Sequence, residues 1–347
     1  MTEMMKAVVK TEEAPGGVLK EVPIPEIGPR DVLVKVAATS ICGTDYHIYE
    51  WDEWAQQTIK TPQIMGHELA GHVVKVGEQV ESLVEGDFIS AETHIPCTHC
   101  YQCKTGRMHI CQDMTIFGVH QDGVFAEYAV VPEVVAWKND PDMPRELASI
   151  QEPLGNAIDT LLTDDIVGKT VFMPGAGPLG QLGILVAKAC GVGKLIVSDI
   201  NEYRLNRAKE LGADVVLNAA EDDIEEEIMK ITNGIGVDVV AEMSGSPIAL
   251  KQGLKVLTPG GRVSLLGLFN GDVDIDLNND VIFKGIEIHG ITGRQMFETW
   301  HKAAGLINSG RVDFSKVITH TFPLEEWEKG MKLMESGNCG KIVLTID

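Results

Sequence analysis

Gly175-Ala176-Gly177-Pro178-Leu179-Gly180 narrows what this chain can fold into more than any other segment. It follows a short apolar run at 170–174 that reads as a strand, and it opens an apolar helix at 178–190. Glycines at this spacing do three jobs: the first allows a tight turn, the second lets a pyrophosphate approach the backbone, and the third lets helix and strand pack closely. The unpaired N–H groups at the helix start add partial positive charge for the anion. Beyond the loop come strand 195–199, helix 202–211, strand 214–217, helix 222–232, strand 237–241, helix 247–257 and strand 261–267. This alternation predicts a doubly wound parallel α/β sheet covered by helices on both faces. Asp199 closes the second strand, where an acid accepts hydrogen bonds from ribose hydroxyls and repels a 2′-phosphate, so NAD is favoured over NADP. Arg204, five residues on, either pairs with a 2′-phosphate or flanks the adenine.

The chain before Pro153 is different in style. Short β-branched runs at 5–10 and 32–36, and further runs at 69–76, 86–90 and 124–131, are bordered by Gly, Pro or Asp and read as β. A length of 347 residues fits about two domains. Past residue 295 a helix is expected at 296–309, and the apolar segment 341–346 reads as a strand able to return to the first domain. With 29 basic against 51 acidic side chains the net charge is −22, which argues against a nucleic-acid partner, since such binding draws on clustered Lys and Arg. The first residues lack a signal-peptide pattern, and no stretch of about 18 apolar residues is free of charge. A soluble cytoplasmic protein with no membrane partner is expected.

Seven cysteines are too few for a disulfide scaffold, yet Cys97, Cys100, Cys103 and Cys111 fall close together. Four thiolates close a tetrahedral zinc shell and leave no place for substrate, so this site reads as structural; an iron–sulfur cluster also takes four cysteines. His94, His99 and His109 read as loop residues beside it. A second, scattered set comprises Cys42, His67, Glu68 and Glu152. A thiolate, an imidazole and carboxylates suit a catalytic zinc with an open position. Taken singly, each has a plain alternative: a core thiol, a core histidine, a surface acid.

Through Cys42-Gly43-Thr44-Asp45, Gly66-His67-Glu68, the four-cysteine lobe and the loop Gly175 to Gly180, the sequence resembles the zinc-dependent medium-chain dehydrogenases over essentially its whole length. The segments 44–54, 152–157, 201–204 and 293–300 are most similar to those of family members acting on L-threonine. The resemblance implies a GroES-like β-rich catalytic domain at 1–155 and 296–347, with the zinc lobe at about 94–113, and an inserted Rossmann domain at 156–295. The site would lie in the cleft between them. It implies two zinc ions per chain, one structural on the four cysteines and one catalytic on Cys42, His67 and Glu68, with Glu68 either a direct ligand or a neighbour. Glu152 would be the acid beside the catalytic ion, bound directly or through water. Thr44 and His47 would carry the proton outward. Gly175, Gly177, Leu179, Gly180, Asp199, Arg204, Leu266, Gly267, Leu268, Ile291 and Thr292 would contact NAD. Arg294 is a candidate cation for a substrate carboxylate. The implied reaction oxidises the β-hydroxyl of L-threonine to 2-amino-3-oxobutanoate, with a polyol or simple secondary alcohol as the alternative substrate, in a homotetramer.

Overall fold

The computed structural model describes residues 3–347. The chain divides into two compact units. One takes the chain up to Glu152 together with Ile318–Ser336 and Lys341–Asp347; the other takes Pro153–Val317 and Gly337–Gly340.

The second unit is built on six parallel strands in the order 215–218, 194–199, 170–174, 237–242, 257–265 and 287–290. Numbered by chain position this is 3-2-1-4-5-6, the Rossmann arrangement, in which ligands bind beyond the carboxyl ends of the strands. Phe172, Ile196, Val240 and Val263 pack against Ile224, Ile228, Leu250 and Leu254 of the covering helices. The helices start where the sequence supplies caps: the side chains of Asn201, Asp223 and Ser246 accept the N–H of Arg204, Glu226 and Ala249. Each such cap is worth about 1 kcal/mol. Gly212, left-handed at φ 107, ends helix Glu202–Leu211.

The first unit is mostly antiparallel. Its main sheet runs 136–138, 88–91, 68–76, 31–41, 341–345 and 318–323, with 128–132 also pairing to 31–41. Strand Lys341–Thr345 pairs antiparallel with Asp31–Ile41, setting Ile342 opposite Ile41. A three-stranded sheet of 18–23, 4–10 and 63–64 and a small ribbon of 94–95 with 115–116 complete it.

Several features were not read from the sequence: strand Glu287–Gly290, the π-helical turn Leu277–Ile282, strand Ile318–Pro323 and helix Trp327–Glu335. Helix Glu298–Asn308, expected with the β-rich domain, clusters with the parallel-sheet unit. The reason is local: Asp159 accepts the N–H of Gln295 and the hydroxyl of Thr299, tying the helix start to helix Gln151–Leu161. Among the described residues no helix is long and apolar enough to cross a membrane.

Candidate active site and metal centres

Cys42 precedes helix Gly43–Glu50, and its N–H donates to Oδ2 of Asp45 at 2.9 Å. The fully buried Asp45 turns its other oxygen, Oδ1, to within 3.3 Å of Nδ1 of His67, close enough for ion pairing but without hydrogen-bond alignment. One carboxylate therefore fixes both Cys42 and His67. Ligand atoms of Cys42, His67 and Glu68 lie within 4.8 Å of one another. Burial acts against charge on His67, but the carboxylate of Asp45 and then the thiol of Cys42 outweigh it and hold the imidazole well above its usual range.

Glu68 begins strand Glu68–Val76 and is fully buried. Its Oε2 accepts the ammonium of Lys341 at 2.6 Å and the hydroxyl of Ser40. Lys341 also donates to the carbonyl of Ile41 at 3.0 Å. Desolvation opposes the Lys341 charge; Glu68, followed by Cys42, more than restores it. The remaining oxygen, Glu68 Oε1, is buried without a hydrogen-bond partner. Buried polar atoms are nearly always satisfied, and the orphaned Glu68 oxygen beside a thiol and an imidazole whose Nδ1 faces Asp45 fits a divalent cation with N, O and S donors. Glu152 is buried at the start of helix Gln151–Leu161, outside that group of three.

Thr44 and His47 occupy the same helix three residues apart, the spacing that shares a face. Thr44 is half-buried and the His47 side chain is 59% exposed.

The four lobe cysteines form a second group, all within 4.8 Å, with no disulfide among them. Sγ of Cys100 stands 3.5 Å from that of Cys103 and 3.8 Å from that of Cys111. A tetrahedron with Zn–S bonds of about 2.3 Å has S···S edges of about 3.8 Å, so the spacing suits zinc. Backbone N–H groups of Cys103 and Gln112 pull Cys100 down to about 6, while burial and then Cys100 push Cys103 up to about 12. Thiols this crowded cannot all ionise unless a cation compensates them. His99 uses Nδ1 on the carbonyl of Cys97, 2.6 Å away.

The three glycines of the loop stand in different surroundings. Gly175 sits at φ +97, and a Cβ on Gly180 would stand 2.0 Å from the carbonyl of Gly175. At Gly177 a Cβ would meet only a guanidinium nitrogen of Arg204 at 3.9 Å, which leaves that face open to a ligand. Gly177 caps helix Pro178–Ala189, whose first turn carries Leu179. Asp199 accepts the N–H of Ala176 at 2.8 Å and of Asn201 at 2.9 Å, binding the strand end to the loop. Arg204 lies 3.9 Å from Asp199 and donates to the carbonyl of Gly337. Leu266, Gly267 and Leu268 follow strand Leu257–Leu265, and Ile291 and Thr292 follow strand Glu287–Gly290, so all these positions lie at the carboxyl edge of the sheet. Leu268 is 95% exposed. Arg294 departs from expectation: it is 1% exposed, bonded to Oδ1 of Asn156 and packed over Gly155. It serves the packing of this unit and is no open cation for a carboxylate.

Sequence reasoning missed Asp45 and Lys341. Asp45, three residues past Cys42, carried a readable capping-box signal. Lys341 had none, being 273 residues from Glu68.

Two family descriptions fit the chain: alcohol dehydrogenase GroES-like domain over residues 28–141, and zinc-binding dehydrogenase over 178–309. The L-threonine 3-dehydrogenase of Thermococcus kodakarensis is 56% identical over 99% of this chain and 98% of its own length. The chain belongs to the zinc-dependent medium-chain dehydrogenase family. Other members bearing the L-threonine 3-dehydrogenase name are 54% identical in Pyrococcus furiosus, over all of both chains, and 50% identical in Bacillus licheniformis, over 98% of each. Among solved structures, a putative zinc-binding dehydrogenase from Sinorhizobium meliloti bound to NADP superposes with TM-score 0.90 at 29% identity, covering 99% of each chain. The 2R,3R-butanediol dehydrogenase of Bacillus subtilis gives 0.89 at 26% identity over 99% of this chain and 100% of that one.

A dehydrogenase with one closed and one open zinc site should lose metal in two phases. Mild chelation, followed by metal analysis and circular dichroism, is expected to remove one zinc per chain with activity while the fold persists; loss of both together would contradict this. Lys341→Met leaves the Glu68 carboxylate buried and unpaired, and should destabilise the protein by about 3–5 kcal/mol in urea unfolding. The double variant with Glu68→Gln should recover part of that loss.

Proposed function

We propose that this chain oxidises L-threonine at the β-hydroxyl to L-2-amino-3-oxobutanoate, using zinc and NAD. The observation that carries the reading is the group of half-buried Cys42 with buried His67 and Glu68, which leaves Glu68 Oε1 without a partner, in a chain 50–56% identical over nearly its full length to proteins named for this activity. The butanediol dehydrogenase, at 26%, is a more distant relative, which favours the amino acid over a polyol or simple secondary alcohol.

Cys42, His67 and Glu68 would hold the zinc, which would supply Lewis-acid stabilisation to an alcohol oxygen as it gives up its proton. NAD supplies the hydride acceptor. Lys341 and Ser40 hold the Glu68 carboxylate in place, and Asp45 orients His67. Glu152 is the acid beside this group, acting through water, since it lies outside the three-residue cluster. Thr44, which both donates and accepts, hands the proton to His47, which releases it to solvent. Asp199 meets the adenosine ribose, Arg204 flanks the adenine, the Gly175 to Gly180 loop holds the pyrophosphate, and 266–268 with 291–292 border the nicotinamide half. Cys97, Cys100, Cys103 and Cys111 hold a structural zinc.

The protein works as a homotetramer in the cytoplasm. Strand Glu287–Gly290 ends the parallel sheet with an unpaired edge, and Ile282, Phe283 and Ile288 nearby are exposed apolar side chains suited to a second copy.

Steady-state rates with NAD on L-threonine, L-serine, sorbitol, 2,3-butanediol and 2-butanol test the substrate. L-threonine should give the highest kcat/KM; a polyol exceeding it about tenfold, a gap of about 1.4 kcal/mol, would reject the assignment.

A further inference from the structure

Asp52 has no role in the reaction as derived above, yet both of its carboxylate oxygens are committed. Oδ1 accepts the N–H of Ala55 at 2.9 Å, making Asp52 the cap of helix Glu53–Thr58. Oδ2 stands 2.6 Å from Nδ1 of His47, at the short limit of charge-assisted N–H···O bonds. The ring of Trp54 lies edge-on to the imidazole, with centroids 6.3 Å apart.

The meeting of His47 and Asp52 is built by the backbone. Helix Gly43–Glu50 ends on Trp51 in the left-handed region at φ 59, and the N–H of Trp51 bonds back to the carbonyl of His47 at 3.0 Å. That reversal brings the fifth residue after His47 back to its side chain. Trp51 is itself buried, with the ammonium of Lys10 4.8 Å from its ring centroid. Lys10 is also buried and donates to the carbonyls of Ala14, Gly16 and Tyr49 at 2.5, 2.9 and 3.4 Å. Glu53 is engaged elsewhere, with Gln57, and Glu50 acts on Lys10. A solvated ion pair contributes little to stability, but fixing a tautomer is a different task. Although burial acts against it, the N–H of Ala55 and then His47 hold the Asp52 carboxyl below its usual range.

We infer that Asp52 is a positioning residue for proton release: it holds the His47 proton on Nδ1, so that Nε2 is the basic nitrogen offered to Thr44. The inference rests on the Thr44 to His47 relay proposed above. The β-hydroxyl proton passes to Thr44 Oγ1 as the hydroxyl proton of Thr44 passes to Nε2. The imidazolium so formed, flanked by the Asp52 charge, returns the Nε2 proton to water. Hydride, with its electron pair, leaves Cβ for the nicotinamide, and one proton is released per NADH formed. The exposure of His47 makes water the final acceptor.

Asp52→Asn separates the two duties of this residue, because Asn is an equally good helix cap. With Oδ1 still on Ala55, its amide N–H₂ faces Nδ1 and forces the imidazole proton onto Nε2, the wrong tautomer for accepting one. In the zinc-loaded protein the His47 ring ¹⁵N shifts, assigned by their loss in His47→Gln, should change from Nδ1–H to Nε2–H. Turnover should fall about 10- to 100-fold with KM for L-threonine changed less than about twofold, the pH profile of kcat should shift, and Asp52→Glu should restore part of the rate. Unchanged ring shifts in Asp52→Asn overturn the proposal, whether kcat is kept or lost, provided His47→Gln impairs turnover. If His47→Gln is fully active, the relay itself fails and this role falls with it.

Discussion

Placing a carboxylate in a dry interior is costly unless a partner meets it there, and Glu68 has two: the ammonium of Lys341 and the hydroxyl of Ser40, both on the same oxygen. The arrangement leaves the second oxygen with nothing but the neighbouring thiol and imidazole. A pair that satisfied both oxygens would bury the charge more comfortably and spoil the site. The antiparallel register that puts Ile342 opposite Ile41 fixes this geometry, since it carries Lys341 to the same strand that supplies Ser40 and leads into Cys42. Sheet pairing, ion pairing and metal affinity are therefore one structural problem in this unit.

The two metal groups solve different problems with different donors. In the lobe, four sulfurs gather within 4.8 Å of one another, Cys100 standing 3.5 Å from Cys103 and 3.8 Å from Cys111, so a cation is what lets them coexist. At the other group, three unlike donors are held from outside by two anchors: Asp45 for both Cys42 and His67, and Lys341 for Glu68. Such a group keeps its shape from outside and leaves the fourth direction for chemistry.

Local signals were legible in the sequence. The glycine loop, the strand and helix alternation that follows it, and the cysteine spacing each occupy a short window, and their physical demands are met within that window. Helix Glu202–Leu211 falls where its Asn201 cap and Gly212 stop place it. Long-range partners were not legible. Nothing near Glu68 announces Lys341, and Arg294, exposed by every composition rule, is buried against Gly155 because that residue lacks the atom that would exclude it. Strand Leu257–Leu265 begins four residues earlier than expected, because Thr258-Pro259-Gly260-Gly261 reads as a turn while Leu257 pairs with Val237. The membership of helix Glu298–Asn308 was hidden for the same reason: it is decided by Asp159, far off in the chain.

The position of strand Lys341–Thr345 between Asp31–Ile41 and the edge strand Ile318–Pro323 also bears on the assembly of the protein during synthesis. The parallel-sheet unit draws almost all its residues from one continuous stretch and can begin to pack as that stretch leaves the ribosome. The β-rich unit holds a gap between Asp31–Ile41 and Ile318–Pro323 until residue 345 has emerged. Lys341 follows that whole stretch in the sequence, so Glu68 receives its counter-ion only after the residues of the parallel sheet have been made.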